Sequence, residues 1–215
     1  MKRLLLVSAL AALVSPMAAL AESAMVAPAA AAATASAKLD FRIVVPRVLF
    51  LQVGTGTNFV ANAGVDLIDF AVPAANVGDG TVVAATPASG NLTNGAVTVR
   101  VMGNGASTIS LNSATTGAMN NGAGSTVGWN RIAVAAAPLT AGTTTGFNNT
   151  GIAHPAFPAS NTGNGTATTL NATNGVVREE GKWTFTYLNQ DILAAGTYGG
   201  VNTNAGRVTY TATMP

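Results

Sequence analysis

His154 is the only histidine of the 215-residue chain, and with no cysteine present it is the only imidazole or thiol that could act as a base or soft metal ligand near neutral pH. It sits in GIAHPAFP, beside Pro155, with no base–nucleophile–orienter set in reach along the sequence, so it reads as a packed or solvated turn residue. Asp66, Asp69 and Asp79 are close enough in sequence to raise a calcium site, but their spacing fits no calcium loop. Asp66 and Asp69 also fall on opposite faces of a regular strand, so all three read as solvent-facing carboxylates near turns. Glu179-Glu180 followed by Lys182 reads as a charged turn before an apolar strand. GTGTNF at 54–59 has the glycines of a phosphate loop without its Lys-Ser/Thr pair or following helix. Trp129 and Trp183 could stack on sugars, yet each lies among other apolar residues and reads as core. Asn-x-Ser/Thr sequons at Asn91, Asn148, Asn164 and Asn171 matter only in a host that glycosylates them. No catalytic, cofactor-binding or metal-binding residue is therefore assigned, and an enzyme is the least supported class.

The residues with something to do are apolar. Residues 38–53 read KLDFRIVVPRVLFLQV. Leu39, Phe41, Ile43 and Val45 fall on one face of an extended strand, with Asp40 and Arg42 on the other. Pro46 lacks an N–H and interrupts pairing. Beyond it, Val48, Leu49, Phe50, Leu51 and Val53 form a run expected of a strand buried on both faces. The alternating half suits a strand donated to another subunit, the second half a resident strand. A single intramolecular strand kinked at Pro46 is the competing expectation.

Ahead of this segment, Lys2 and Arg3, an apolar run from Leu4 to Val14, and Ala19-Leu20-Ala21 match a signal peptide cleaved after Ala21. Residues 22–37 read as a flexible Ala-rich linker, and 38–215 as one domain in which 38–45 is the candidate donated strand. The chain has 10 Lys+Arg and 8 Asp+Glu. Without Lys2 and Arg3 the two signs balance, so charge does not argue for nucleic acid or anionic membrane as a partner. No later stretch is long and apolar enough to span a bilayer as a helix. Without cysteine, stability must come from a packed core.

The body reads as strands between turns. Asn-Gly occurs at 94–95, 104–105, 121–122, 164–165 and 174–175, and Asp-Gly at 79–80, pairs that tolerate the positive φ of tight hairpins. Alternating runs are expected as strands over 65–72, 97–101, 109–111, 127–134, 183–187 and 208–212. Residues 112–126 and 140–175 are rich in Gly, Asn, Thr and Ala and read as long surface loops or irregular edges. No window carries a capped helical period. The fold class is all-β: an Ig-like or jelly-roll antiparallel β-sandwich preceded by a signal peptide and a flexible tether.

The ending WTFTYLNQDILAAGTYGG, followed by GRVTYTATMP, resembles that of bacterial fimbrial subunits and secreted spore-coat-U-like proteins, which close with a Gly-x-Tyr turn and a final alternating strand. The matching residues are Ala195-Gly196-Thr197-Tyr198 and Val208-Thr209-Tyr210-Thr211. The chain departs from that pattern in lacking a disulfide and in inserting GGVNTNAG between turn and last strand. The resemblance implies a secreted structural subunit that polymerises into a fibre, pilus or surface coat by β-strand complementation. It also implies passage through the periplasm and an export chaperone as a candidate partner. The self-assembly residues are then Leu39, Phe41, Ile43 and Val45. The alternative is a secreted carbohydrate- or surface-binding adhesin module using the Asn/Thr/Gly-rich loops.

Overall fold

The computed structural model describes residues 23–27, 32–140 and 144–215, so the expected signal peptide lies outside the described residues. The chain divides at Val45–Pro46 into two units. In the first, the described residues carry no helix or strand and every one is exposed.

The second unit is all-β. Its strands are β1 (Leu49–Val53), β2 (Val83–Ala84), β3 (Ala96–Asn104), β4 (Thr108–Thr116), β5 (Met119–Asn120), β6 (Thr126–Val127), β7 (Ile132–Ala137), β8 (Asn148–Asn149), β9 (Thr162–Asn164), β10 (Thr168–Asn171), β11 (Val176–Tyr187) and β12 (Val208–Thr213). The only helical turns among the described residues are three-residue 3₁₀ turns at Ala74–Asn76 and Trp129–Arg131.

One sheet has β3 at its centre, paired antiparallel with β1 and with the long β11. β11 carries β7 and the short parallel β8 on its far side, and β2 beyond the end of β3. The second sheet has β4 at its centre, between β12 on one side and β10 and β9 on the other. β5 and β6 form a separate ribbon. Alternation dictates which faces meet. Val97, Val99 and Val101 of β3, and Val177, Trp183 and Phe185 of β11, share one buried cluster with Ile109 and Leu111 of β4 and Leu170 of β10.

The turns follow the sequence chemistry where it is strongest. Asn174 and Gly175 both take positive φ, 52° and 74°, and Thr173 and Val176 exchange both main-chain hydrogen bonds across them. That is a type I′ hairpin, whose twist suits the flanking strands.

Four expectations need correction. Only Leu49–Val53 of the 38–53 segment forms a strand. β1 is an edge strand with Leu49 exposed and Gln52 its most buried residue, so it is not buried on both faces. Gln52 is buried because it lies in register with Arg100 and Glu180 across three strands. Residues 65–72 alternate in burial, with Ile68, Phe70 and Val72 facing inward, but no ladder forms along them. Of its main-chain atoms only Asp69 O, Leu67 O and Asp69 N bond: Asp69 O accepts from Thr86 N and Ser89 Oγ, Leu67 O accepts from Gly90 N, and Asp69 N donates to Ser89 Oγ. Residues 127–134 are not one strand, because the 3₁₀ turn at Trp129 divides β6 from β7.

The fourth concerns 112–126 and 140–175, expected as long surface loops or irregular edges, of which the loop alternative fails in part. β4 runs on to Thr116, and short strands occur within 140–175. Residues 151–158 cross the core: Ile152 and Pro155 are fully buried, and Trp183 Nε1 donates to Ile152 O at 2.6 Å. Gly181 makes room for this crossing. A Cβ there would lie 2.6 Å from Gly151 Cα and 2.9 Å from Ala137 O.

Candidate strand-acceptor groove

The two sheets do not close on each other at every edge. Among the described residues β12 pairs only with β4, leaving its other edge with unpaired N–H and C=O groups. The residues β12 turns inward, Val208, Tyr210 and Ala212, stay half-buried, whereas Ile109, Leu111, Ser113 and Thr115 of its neighbour β4 are fully buried. The core beneath β12 is therefore incompletely covered.

A cavity of about 900 Å³ lies there. Leu51 and Val53 of β1, Phe185 and Tyr187 of β11, and Val208 and Tyr210 of β12 line it from three strands. Ile68, Phe70 and Val72 of the extended 65–72 segment line it further, and Met119, Leu193 and Tyr198 lie at one end. Asp66, Asp69, Asn189, Asp191 and Arg207 line it as well, so it is mainly but not wholly apolar. An unpaired strand edge beside such a cavity offers main-chain hydrogen bonds and side-chain pockets together, which is what an added strand requires.

One of the residues lining the cavity carries a buried, unsatisfied polar atom. Tyr187 is 6% exposed, and its hydroxyl has no hydrogen-bond partner among the described residues. Burial raises its pKa above the usual tyrosine value, and the nearby Asp191 charge adds to this. The neighbouring polar groups are engaged elsewhere. Arg131 donates to both Asp191 oxygens at 2.6 and 2.8 Å, and the Tyr198 hydroxyl bonds Ser125 Oγ and Ala194 O, both at 2.7 Å. Sequence reasoning missed Tyr187 as a site residue. It stands in the alternating series Trp183–Phe185–Tyr187, and nothing in that pattern distinguishes a satisfied hydroxyl from an orphaned one.

The expected self-assembly residues lie in the first unit. Leu39, Phe41, Ile43 and Val45 are 72%, 85%, 88% and 72% exposed. None belongs to a strand.

The polar candidates have local roles. His154 is enclosed by Phe157, Trp183, Phe185 and Tyr210, with ring centroids 4.6–5.8 Å away, and its Nε2 shares a 2.8 Å hydrogen bond with the Tyr210 hydroxyl. Burial lowers its pKa to about 4, so it is neutral at pH 7. Asp66 accepts from Thr55 N and Thr55 Oγ1, fastening the 54–66 loop. Asp79 accepts from Asn76 and Thr81, and these bonds hold its carboxyl below the ordinary value.

Glu180 is in a strand and fully buried, not in a charged turn. Burial alone would raise its carboxyl, but bonds from Arg100 Nε at 2.9 Å and Thr144 N at 2.5 Å hold it below the ordinary value. Trp129 and Trp183 are both buried in the core. The described residues contain no cluster of three or more His, Cys, Asp or Glu placed to hold a metal ion. Nor does any helix among them have the length and apolarity to cross a membrane. No family model matches the chain, and no curated protein or solved structure is significantly similar to it.

Proposed function

We propose that this chain is a structural subunit of an extracellular fibre, pilus or surface coat, and that the groove beside β12 receives residues 39–45 of a second copy. In this reading the two sheets and their shared core form an Ig-like sandwich with one strand position open. The incoming strand pairs along the free edge of β12, while Leu39, Phe41, Ile43 and Val45 enter the cavity as four alternate knobs.

The observation that carries the reading is the match between two unsatisfied surfaces on one chain. Four alternating apolar side chains are at least 72% exposed, and a mainly apolar cavity lies beside the first half of an unpaired strand edge, Val208–Tyr210. Burying four such side chains is worth about 6–12 kcal/mol gross. Association and ordering cost a comparable amount, so main-chain pairing along β12 decides the net affinity.

A carbohydrate-binding module would be favoured by exposed aromatics gathered on one loop face. The large exposed aromatics among the described residues are Phe41 and Phe59, and Phe59 stacks on Phe147 at 5.8 Å and meets Phe50 at 5.2 Å in a tilted contact.

The test is electron microscopy of secreted material from the full chain and from a variant lacking residues 22–45. Filaments are expected from the first alone. Unchanged filaments after the deletion would rule out strand donation by this segment.

A further inference from the structure

We propose that Asn104 is the positioning residue that makes strand donation intermolecular, because it holds the root of residues 39–45 so that a chain's own segment does not turn back into its own groove. The inference rests on the reading above, and it names a residue that no strand pattern marks. The Asn104-Gly105 pair reads from sequence as a hairpin turn, yet only Gly105 takes positive φ, 90°. The Asn104 side chain instead reaches across to the chain entering β1. Its Oδ1 accepts from Val48 N at 2.6 Å, and its Nδ2 donates to Pro46 O at 2.9 Å. Asn104 N also donates to Val48 O at 3.2 Å. One residue at the end of β3 therefore fastens both sides of Arg47, and residues 46–48 are held against β3 as β1 itself is.

This removes the simplest route to self-capture. β1 and β12 both line the groove, so a chain that reversed just ahead of Leu49 would carry its own segment back to it. Residues 46–48 would be that reversal, a connection of common hairpin length. A tethered strand competes at an effective concentration on the order of millimolar, so an unpinned root would favour the chain's own segment over a second copy's. With residues 46–48 fastened, a reversal has to move upstream into Ile43, Val44 and Val45. All three are β-branched, and Val45 precedes proline, so they resist the backbone angles of a tight turn. A turn there also removes Ile43 and Val45 from the set of four knobs.

The chain has no cysteine, so two introduced thiols are its only ones. The test uses the full chain carrying Ile43→Cys on the segment and Val208→Cys on β12, joined by a short bismaleimide that tolerates a slip in register. It is run with Asn104, with Asn104→Ala and with Asn104→Asp. On a denaturing gel, donation gives a ladder of linked subunits, and self-capture gives a closed monomer. The ladder is expected with Asn104. Asn104→Ala should raise the ratio of closed monomer to ladder about tenfold or more, as the loss of two hydrogen bonds allows. Asn104→Asp keeps the acceptor for Val48 N and loses the donor to Pro46 O, so it should fall between the two. A purely structural role would lower the melting temperature without changing which thiols join. The same ladder in all three proteins overturns the assignment while leaving strand donation standing. A closed monomer already dominant with Asn104, or no product linking the two thiols, overturns both.

Discussion

At the scale of single residues, the two most demanding groups are Glu180 and His154, and both are explained by what surrounds them. Glu180 is completely buried and survives as a carboxylate because Arg100 and Thr144 donate to it, while Arg100 also bonds Gln52 at 3.1 Å and Thr144 Oγ1 at 2.9 Å. Removing the cation alone leaves an uncompensated buried charge. Arg100→Met should therefore cost about 3–5 kcal/mol in urea denaturation, and adding Glu180→Leu to it should recover part of that loss. His154 makes the opposite demand, being buried as the neutral ring. Its folded pKa of about 4 lies below the ordinary 6.5, so between those values the unfolded chain binds the extra proton. Stability should fall as pH drops from about 6.5 towards 4, with no further loss from this group below that. Comparing denaturation midpoints at pH 7 and pH 4.5 checks this, and His154→Gln should flatten the difference. The groups facing His154 are Tyr210, Trp183, Phe157 and Phe185, none of which titrates in that window. The carboxyls held below their ordinary values, Glu180, Asp191 and Asp79, add to the loss at the acid end, so the imidazole's share is the part that His154→Gln removes.

At the scale of elements, strands that alternate cleanly and lie between two partners were legible from the residue pattern. β3 is of this kind, and so is the Asn174-Gly175 turn, because side-chain period and turn chemistry are local properties, whereas β4 was read only over 109–111 and β11 only over 183–187, since Asn112–Thr116 looks like loop and Glu179-Glu180 like a charged turn until their partners are known. β12 was legible as a strand but not as an open edge, since pairing depends on what else reaches it. The 65–72 segment alternates as well as β3 does, yet bonds at only a few points, because no strand lies along its second edge. The crossing at 151–158 was hidden for a different reason. Its Gly, Ala and Pro content resembles a surface loop, and only the absence of a side chain at Gly181 lets it lie across β11. Gly181→Ala is accordingly expected to cost about 1–3 kcal/mol by pushing the Gly151 backbone away, read as a lowered melting temperature. Gly117→Ala is a control for added side-chain bulk, since a Cβ there meets only Ala205 Cβ at 3.6 Å, an ordinary contact, on a backbone outside the left-handed region.

At the scale of the whole molecule, donor and acceptor are different surfaces of one chain, so the proposed contact is heterologous. Such a contact has no built-in closure and propagates into rings or open filaments. This makes assembly separable into two half-defects. Phe41→Asp places a charge on the donated face, and because Phe41 is 85% exposed the substitution should leave the subunit's own melting temperature unchanged. Val208→Asp places a charge on the acceptor side, where Val208 lines the cavity from β12. A charge buried without a partner at either surface costs far more than one knob contributes, so neither variant should polymerise alone. Mixed in equal amounts, the intact segment of the Val208→Asp chain can enter the intact groove of the Phe41→Asp chain. The remaining groove and the remaining segment are both defective, so growth must stop at two. Strand donation thus predicts a one-to-one heterodimer by light scattering from two monomeric variants. Filaments or unchanged monomers from the mixture would show that the two surfaces are not partners.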